Sequence, residues 1–339
     1  MAERRVAILH TGGTIGMRPT GEGFAPARGF LASQLEDLPE LARVAAYELL
    51  EHDPLLDSAS IRPHDWLAIA RAIVDRAGEF DGFVVLHGTD TMAYTASALA
   101  FMLRGLGKPV VLTGSQIPLC ELRSDARANL LTALMIAAAE EPLREVTLYF
   151  GGRLLRGCRA VKVSVTGFDA FDSPNFPALA SAGIDIAVDP LVAHRLAVAT
   201  APVRLPRRLD ASVGALRLFP GLSAELMRNA LREPLQGLVL EAYGAGNGPS
   251  DDPELLRAVA DATARGVVIV DCTQCLRGTV DLGAYATGSA LARAGVIGGA
   301  DLTVEAALAK LVFLLSTLRS PAHVRDLMVQ SLCGELTPR

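Results

Sequence analysis

Two kinds of apolar pattern alternate along the chain. Short runs rich in Val, Ile and Leu, typical of buried strands, are separated by longer segments whose apolar residues recur with helical spacing. The predicted strands are Val6–His10, Gly82–His87, Pro109–Thr113, Glu145–Phe150, Gly237–Glu241 and Gly266–Asp271. The predicted helices are Asp65–Ala77, Thr91–Arg104, Arg123–Ala139, Asp252–Ala264 and Val304–Leu318. Alternation of strand and helix predicts an α/β fold with mainly parallel sheets covered by helices.

The length of the chain, 339 residues, exceeds what one hydrophobic core usually supports, and this favours two domains. The proline- and charge-rich stretch Ala201–Ser212 is typical of a linker or an irregular hairpin. We therefore predict an N-terminal domain over residues 1–200, a linker over 201–215 and a C-terminal α/β domain over 216–339.

Charge and hydropathy exclude several partners. The formal net charge is −5 and no basic cluster stands out, so nucleic acid is not an expected partner. No apolar run of the secretory type follows Arg4 and Arg5, and the longest apolar stretch, Val304–Leu318, is too short to span a bilayer. We expect no membrane association and a small-molecule substrate.

The five cysteines are odd in number and scattered, which indicates a reducing compartment and predicts a cytoplasmic protein. Cys272 and Cys275 have the spacing of a redox motif, but no second pair completes a zinc site. We expect neither a metal nor another cofactor.

Three predicted strands end in glycine followed closely by Ser or Thr, in the segments 10–17, 86–91 and 112–118. In open α/β sheets, ligands bind beyond the carboxyl ends of the strands. The glycines of the first segment, His10-Thr-Gly-Gly-Thr-Ile-Gly-Met17, fit three interpretations. One is a phosphate loop, although neither nucleotide-loop spacing is present. The others are a tight turn capped by threonine, and a hydroxyl nucleophile with backbone donors nearby.

Lysine usage is a separate clue. The 32 cationic residues include only three lysines, Lys108, Lys162 and Lys310, so arginine serves wherever a plain positive charge suffices. A lysine is retained more readily where a compact amine that can lose its proton is needed. The alternation in Ala160–Val165 predicts a strand that places Lys162 and Ser164 on one face. Lys162 is either a solvated strand lysine or a functional amine.

The segment Gly16–Phe24 contains three glycines and a proline directly after the candidate nucleophile. Such a composition suits either an ordinary exposed loop or a mobile lid that closes over a site.

Together these segments resemble the L-asparaginase family, in particular its cytoplasmic bacterial type I branch, over essentially the whole chain. The most specific matches are Thr11-Gly-Gly-Thr-Ile-Gly16 and His87-Gly-Thr-Asp-Thr-Met92. Further matches are Leu56–Ser58, Lys162–Asn175, Tyr243–Asn247, Gly295–Asp301 and Gly334–Thr337.

The resemblance implies a larger flavodoxin-like N-terminal domain, a smaller Rossmann-like C-terminal domain, and a homotetramer built as a dimer of dimers. It implies Thr14 as the nucleophile and Thr89, Asp90 and Lys162 as the remaining catalytic group. It further implies that substrate is contacted by Asp57, Ser58, Ser115 and, from a neighbouring subunit, Asn247. The implied reaction is hydrolysis of L-asparagine to L-aspartate and ammonia through an acyl-enzyme.

One departure from the family pattern concerns the base. Many members carry a lid tyrosine that partners the nucleophilic threonine, whereas Phe24 stands at that place here. Two other functions stay open from the sequence. One is the ammonia-releasing subunit of a tRNA-dependent amidotransferase, although that family usually has an extra domain before the segment that matches Thr11-Gly-Gly-Thr14. The other is a non-catalytic asparagine sensor, against which the retention of Thr14, Thr89, Asp90 and Lys162 argues.

Overall fold

The computed structural model describes residues 4–21, 23–193 and 202–338. The chain divides into two compact units, Met1–Leu205 and Pro206–Arg339, and the division falls inside the predicted linker. Glu22 of the predicted lid, residues 194–200 of the predicted first domain and Ala201 of the predicted linker lie outside the described residues.

The larger unit is built around one sheet. Its strands are β1 Arg5–Gly12, β2 Met17–Thr20, β3 Gly23–Pro26, β4 Ala46–Leu56, β5 Gly82–Leu86, β6 Val110–Thr113, β7 Val146–Phe150, β8 Arg153–Arg156, β9 Val161–Lys162, β10 Phe171–Asp172, β11 Ala180–Ala182 and β12 Ile186–Val188. Its helices are α1 Phe30–Glu36, α2 Leu41–Val44, α3 Pro63–Asp75, α4 Met92–Met102, α5 Ala126–Ala137 and α6 Pro190–Ala193. Short 3₁₀ turns occupy Thr14–Gly16, Ser58–Ser60 and Gly157–Arg159.

The order of strands in the main sheet is β12-β11-β8-β7-β6-β5-β1-β4. The strands from β4 to β7 are parallel, and the antiparallel strands β8, β11 and β12 extend one edge. In chain order the parallel strands are arranged 2-1-3-4-5, which is the flavodoxin-like arrangement. The strand order reverses at β1, so the crevice between the ends of β1 and β5 is where this fold binds ligands.

The central strands of this sheet are buried on both faces. Val6 and Ile8 of β1 face a core that includes residues of α1 and α5. The central strands β5, β6 and β7 are buried along their whole length, as expected for parallel strands with helices on both faces. This rigid sheet fixes the positions of the loops that follow its strands.

The strand β4 is absent from the predictions, and it is the strand that creates the reversal. Its sequence, AYELLEHDPLL, interrupts the apolar residues with Glu48, Glu51, His52 and Asp53, and its residues are partly or largely exposed because β4 lies at the edge of the sheet. Edge strands are covered on fewer sides and carry charges and proline more readily than central strands. A search for continuous apolar runs therefore does not detect β4.

The smaller unit is a second layered α/β structure. Its strands are β13 Val213–Arg217, β14 Gly237–Ala242, β15 Val268–Thr273 and β16 Ile297–Gly298, and its helices are α7 Ala224–Ala230, α8 Pro253–Ala264, α9 Ala286–Arg293, α10 Val304–Thr317 and α11 Pro321–Met328. The strands are parallel and lie in chain order. One core packs α7, α8 and α9 on one face, and another packs α10 and α11 on the other.

These two units confirm the predicted α/β class with mainly parallel sheets. The resemblance of the smaller unit to a Rossmann fold lies in its layering, since its sheet has no reversal of strand order. The edge strand β13 begins at Val213, so the last residues of the predicted linker belong to the second sheet. None of the helices in the described ranges is long and apolar enough to cross a membrane.

Candidate active site

Three loops meet where β1, β4 and β5 end, and two glycines allow them to approach. A Cβ on Gly13 would lie 2.3 Å from the backbone nitrogen of Gly88, and Gly13 has φ 88°. A Cβ on Gly88 would lie 2.4 Å from Oγ of Ser58. No side chain fits at either position. Thr14 and Thr89 each follow one of these touching glycines, so the fold brings the two threonines to one place.

Thr14 begins the 3₁₀ turn Thr14–Gly16 directly beyond β1. Its side chain is partly exposed, and its hydroxyl makes no hydrogen bond to another residue in the described part of the chain. The turn is held in place because the backbone N–H of Leu119, in the loop after β6, donates to the carbonyl of Ile15 at 3.2 Å. Thr14 therefore has a fixed backbone and an uncommitted hydroxyl.

Lys162 connects two of the other predicted catalytic residues. Its ammonium donates to Oγ1 of Thr89 at 2.8 Å and to Oδ1 of Asp90 at 2.7 Å. The Lys162 side chain is 20% exposed and that of Asp90 is 61% exposed, so the pair opens toward solvent on the carboxylate side. A hydroxyl, an amine and a carboxylate in direct contact can exchange protons and can bind a substrate ammonium group.

Lys162 reaches this cluster from a strand that is shorter than predicted. The strand β9 contains only Val161 and Lys162 and pairs with β10. The prediction of a strand over residues 160–165 is wrong beyond Lys162, because the backbone turns and the N–H groups of Val163 and Ser164 both donate to the carbonyl of Ala170. As a result Val163 and Val165 are exposed, whereas Val161 is buried.

His87 precedes the cluster but has a structural role. Burial lowers the pKa of His87 to about 4, although a hydrogen bond to the carbonyl of Gly88 opposes this, so the ring is neutral near pH 7. Its Nδ1 lies 2.7 Å from that carbonyl and its Nε2 lies 2.8 Å from Oγ1 of Thr95. Nδ1 must donate to the carbonyl, so Nε2 accepts from Thr95. Both nitrogens are occupied, which leaves no free lone pair for a general base.

The predicted substrate contacts differ in their surroundings. Ser58 is buried, and its carbonyl accepts a hydrogen bond from Thr91 at 2.7 Å. Asp57 is exposed and its carboxylate caps the turn Ser58–Ser60 by accepting from the N–H of Ala59 at 3.0 Å. The hydroxyl of Ser115 is enclosed and has no hydrogen-bond partner among the described residues. An unsatisfied buried hydroxyl in a candidate site is unusual and marks a place where polar contacts are incomplete.

The remaining two predicted residues are Phe24 and Asn247. Phe24 is on β3, which pairs with β2 to form a hairpin, and the Phe24 side chain is 48% exposed. The predicted lid therefore includes a hairpin, and Glu22 of that segment lies outside the described residues. Asn247 belongs to the smaller unit, where its Oδ1 accepts a hydrogen bond from Thr287 at 2.7 Å.

Sequence reasoning did not single out Gln116 and Asp125. Gln116 lies in the segment 112–118 that follows β6, and its Oε1 accepts a hydrogen bond from Thr89 at 3.4 Å. Asp125 precedes α5 and accepts hydrogen bonds from the backbone N–H groups of Gln116 and Ile117. The only sequence feature that pointed to Gln116 was its position beside Ser115. Its contact with Thr89, in another loop, cannot be predicted from one segment.

Among described residues, no group of three or more His, Cys, Asp or Glu side chains is arranged to hold a metal ion. The side chains that the described residues bring to this site offer hydroxyl, amine, amide and carboxylate groups.

The chain was compared with known families and proteins. Residues 5–191 match the model of the asparaginase N-terminal domain, and residues 212–328 match that of the glutaminase/asparaginase C-terminal domain. The curated L-asparaginase 1 of Escherichia coli strain K12 is 48% identical over 345 residues, which cover 100% of this chain and 99% of that protein. The crystal structure of L-asparaginase I from Vibrio cholerae is 47% identical with a TM-score of 0.89, and covers 99% of this chain and 100% of its own. The thermostable L-asparaginase from Thermococcus kodakarensis is 38% identical with a TM-score of 0.87, and the match covers 99% of this chain and 100% of that chain.

Proposed function

The chain belongs to the asparaginase family, and from this premise we propose that it hydrolyses L-asparagine to L-aspartate and ammonia. The observation that carries the proposal is the contact of Lys162 with both Thr89 and Asp90, next to the glycine contact that brings Thr14 close. Hydrolysis of a side-chain amide needs a nucleophile, a group that accepts and returns a proton, and a contact for the substrate ammonium.

Thr14 is the nucleophile in this proposal. Its hydroxyl oxygen attacks the carboxamide carbon, and the hydroxyl proton passes to a base. Backbone N–H groups of the glycine-rich loops stabilise the oxyanion. The carbon–nitrogen bond breaks, the proton is delivered to the leaving nitrogen as ammonia forms, and an ester to Thr14 remains. A water molecule then cleaves the ester and releases aspartate. The uncommitted hydroxyl of Thr14 supports this role.

The other residues bind substrate or move protons. The exposed carboxylate of Asp90 suits the α-ammonium of asparagine, and Ser58, next to Asp57, suits its α-carboxylate. Ser115 and Asn247 are further proposed contacts, the second from a neighbouring copy in a homotetramer. Lys162 is the proposed base that activates a water molecule, with its amine held by the hydroxyl of Thr89, because Phe24 cannot supply a proton-accepting group at the lid. We propose a cytoplasmic location.

The decisive experiment is an ammonia-release assay on the purified chain with Thr14→Val and Thr14→Ser. We expect asparagine turnover in the wild type, loss of at least about 10³- to 10⁴-fold in kcat for Thr14→Val, and partial activity for Thr14→Ser, which keeps a hydroxyl. Surviving turnover in Thr14→Val would remove Thr14 from this role.

The same preparation separates the two alternative functions. A subunit of a tRNA-dependent amidotransferase would release ammonia efficiently only when its partner subunit and charged tRNA are added. A non-catalytic sensor would bind asparagine in calorimetry and release no ammonia at any enzyme concentration.

A further inference from the structure

The proposed chemistry requires the hydroxyl of Thr89 to point in a defined direction, and Gln116 is the residue placed to set it. Among described residues, Oγ1 of Thr89 has two partners, Nζ of Lys162 at 2.8 Å and Oε1 of Gln116 at 3.4 Å. An ammonium only donates, so Lys162 occupies a lone pair of the hydroxyl. The single hydrogen of Thr89 must then point at Gln116.

The orientation of the Gln116 amide follows from its other contacts. Its Nε2 lies 3.0 Å from the carbonyl oxygen of Val165 and 3.1 Å from that of Gly167. Two carbonyls accept from the two hydrogens of the amide nitrogen, and a flipped amide would place an oxygen against both of them. The amide therefore has one allowed orientation, and in it Oε1 faces Thr89 and can only accept.

The backbone of Gln116 is equally constrained. Its N–H lies 3.0 Å from both carboxylate oxygens of Asp125, and the N–H of Ile117 donates to the same carboxylate at 3.0 Å. The amide of Asn129 holds Asp125 at 3.1 Å and also donates to the carbonyl of Gly114 at 3.0 Å. Charge-assisted hydrogen bonds from two directions leave little freedom at this loop.

Gln116 thus joins two parts of the site that come from different loops. On one side it holds Thr89, at the end of β5, and on the other it holds the carbonyls of residues 165 and 167, in the segment that continues from Lys162. Val163 and Val165 in that segment are exposed, at 44% and 84%.

We propose that Gln116 is a positioning residue that orients the Thr89 hydroxyl and fixes the segment after Lys162, so that one lone pair of Thr89 stays directed at the Lys162 amine. This inference rests on the proposed asparaginase function. The Thr89–Gln116 bond is long at 3.4 Å, as catalytic hydrogen bonds often are before substrate binds and closes the site.

The test uses the full chain with Gln116→Met, which removes both hydrogen-bonding ends at similar length, and Gln34→Met as the matched control. Gln34 is partly buried on α1, and its side chain makes no hydrogen bond within the described residues. We expect Gln116→Met to lower kcat for asparagine by about 10- to 100-fold with KM within about 3-fold, since misplacing reacting groups by about an ångström costs this much. Gln34→Met should stay within about 2-fold of wild type in both constants.

A second variant, Gln116→Glu, distinguishes positioning from general support of the fold. Its carboxylate still offers Thr89 an acceptor but sets a second oxygen against the carbonyls of Val165 and Gly167. Protonation would restore one donor, so the ratio of its kcat to the wild-type kcat should rise as the pH is lowered from 8.5 to 5.5. Because this variant is nearly isosteric, it also serves if Gln116→Met fails to fold.

The outcomes separate the inference from the function on which it rests. A wild-type chain that releases no ammonia from asparagine would contradict the proposed function. If the wild type is active, any of three results would overturn the positioning role of Gln116. The first is a kcat of Gln116→Met within about 2-fold of wild type, and the second is a loss in that variant confined to KM. The third is a ratio of Gln116→Glu kcat to wild-type kcat that does not change with pH.

Discussion

Each unit of the molecule contains a lysine bonded to a carboxylate, and the two pairs are built differently. In the larger unit Lys162 lies 2.7 Å from Asp90, with side chains 20% and 61% exposed. In the smaller unit Lys310 lies 2.6 Å from Glu335, and both side chains are 0% exposed. The distances are nearly equal, so the distance between the charges does not distinguish the pairs.

The difference lies in what surrounds each pair. The Lys310 ammonium also donates to the carbonyls of Met328 and Gln330, and Glu335 accepts from the backbone N–H groups of residues 332 and 333. Burial alone would raise the pKa of Glu335, but the charge and hydrogen bond of Lys310 and these backbone donors outweigh it and lower that pKa. This pair is saturated and fastens residues 328–335 to α10. By contrast, the acceptors of Lys162 among described residues are Thr89 and Asp90, which leaves one ammonium hydrogen and most of the carboxylate for a substrate.

The largest expected effect is on turnover, from Lys162→Arg. The guanidinium keeps the positive charge but stays protonated at any working pH and is bulkier, so kcat should fall by about 10²- to 10⁴-fold while the melting temperature changes little. Steady-state kinetics and thermal unfolding measure the two effects. Lys108→Arg, at a lysine that bonds the carbonyls of Ala77 and Phe80, is the control for activity. Near-normal turnover of Lys162→Arg would mean that Lys162 acts only through its charge.

The Lys310–Glu335 pair should affect stability rather than turnover. Lys310→Met leaves Glu335 charged, buried and without its cation, which should lower the free energy of unfolding by about 3–5 kcal/mol. Adding Glu335→Gln removes the unpaired charge and should recover part of this loss. Urea unfolding at one fixed protein concentration gives the free energies of unfolding. Lys162→Met is the same substitution in the Lys162–Asp90 pair. Equal destabilisation by Lys310→Met and Lys162→Met would break the comparison.

The buried carboxyl of Asp271 extends the comparison to pH. Burial raises the pKa of Asp271 to about 7, an effect that the backbone N–H of Ala242 only partly offsets, and no hydrogen bond of good geometry reaches its carboxylate oxygens within the described residues. The folded-state pKa lies above the unfolded value of 3.8. The contribution of Asp271 to the free energy of unfolding is therefore fully present below about pH 4 and is lost as the pH rises through 7.

The variant Asp271→Asn cannot ionise and should escape that loss. Between pH 5 and pH 8.5 its free energy of unfolding should gain about 2–3 kcal/mol relative to wild type. Denaturant titrations at the two pH values test this, with Asp261→Asn, at an exposed carboxylate on α8, as the control. A difference from wild type that does not change with pH would show that Asp271 does not titrate in this range.

The smallest effect concerns the lid. Phe24 has no ionisable group, so in the proposed mechanism it only covers Lys162 and Asp90 and excludes water. Phe24→Ala should raise KM for asparagine by up to about 10-fold and change kcat by less than about 3-fold. Phe219→Ala, at a ring of similar exposure in the smaller unit, should change neither constant. A fall in kcat as large as that of Thr14→Val would mean that Phe24 positions the nucleophile.

The three lysines show how far composition can lead. Their scarcity favoured positions where a compact amine that can lose its proton is needed, and in the structure each lysine has specific partners. Lys108 bonds two backbone carbonyls, Lys310 lies in the saturated pair and Lys162 lies in the candidate site. Composition could not say which of them is chemical and which are structural, because that depends on neighbours distant in the chain.

The sequence by itself determined the α/β class, the central strands and the segments that hold the candidate site. Continuous apolar runs indicate buried strands, and glycine next to Ser or Thr indicates sharp strand ends, because burial and backbone turns leave local patterns. The family membership follows from the same segments.

Only the tertiary structure decided the edge strands β4 and β13, the early end of β9, and the network through Gln116 and Asp125. Edge strands lack an apolar signature because they are covered on fewer sides, and the contacts of Gln116 join residues up to 51 positions apart. Such contacts depend on which loops the sheet order places together. The reversal of strand order at β1 places these loops together, and no local pattern in the sequence predicts that reversal.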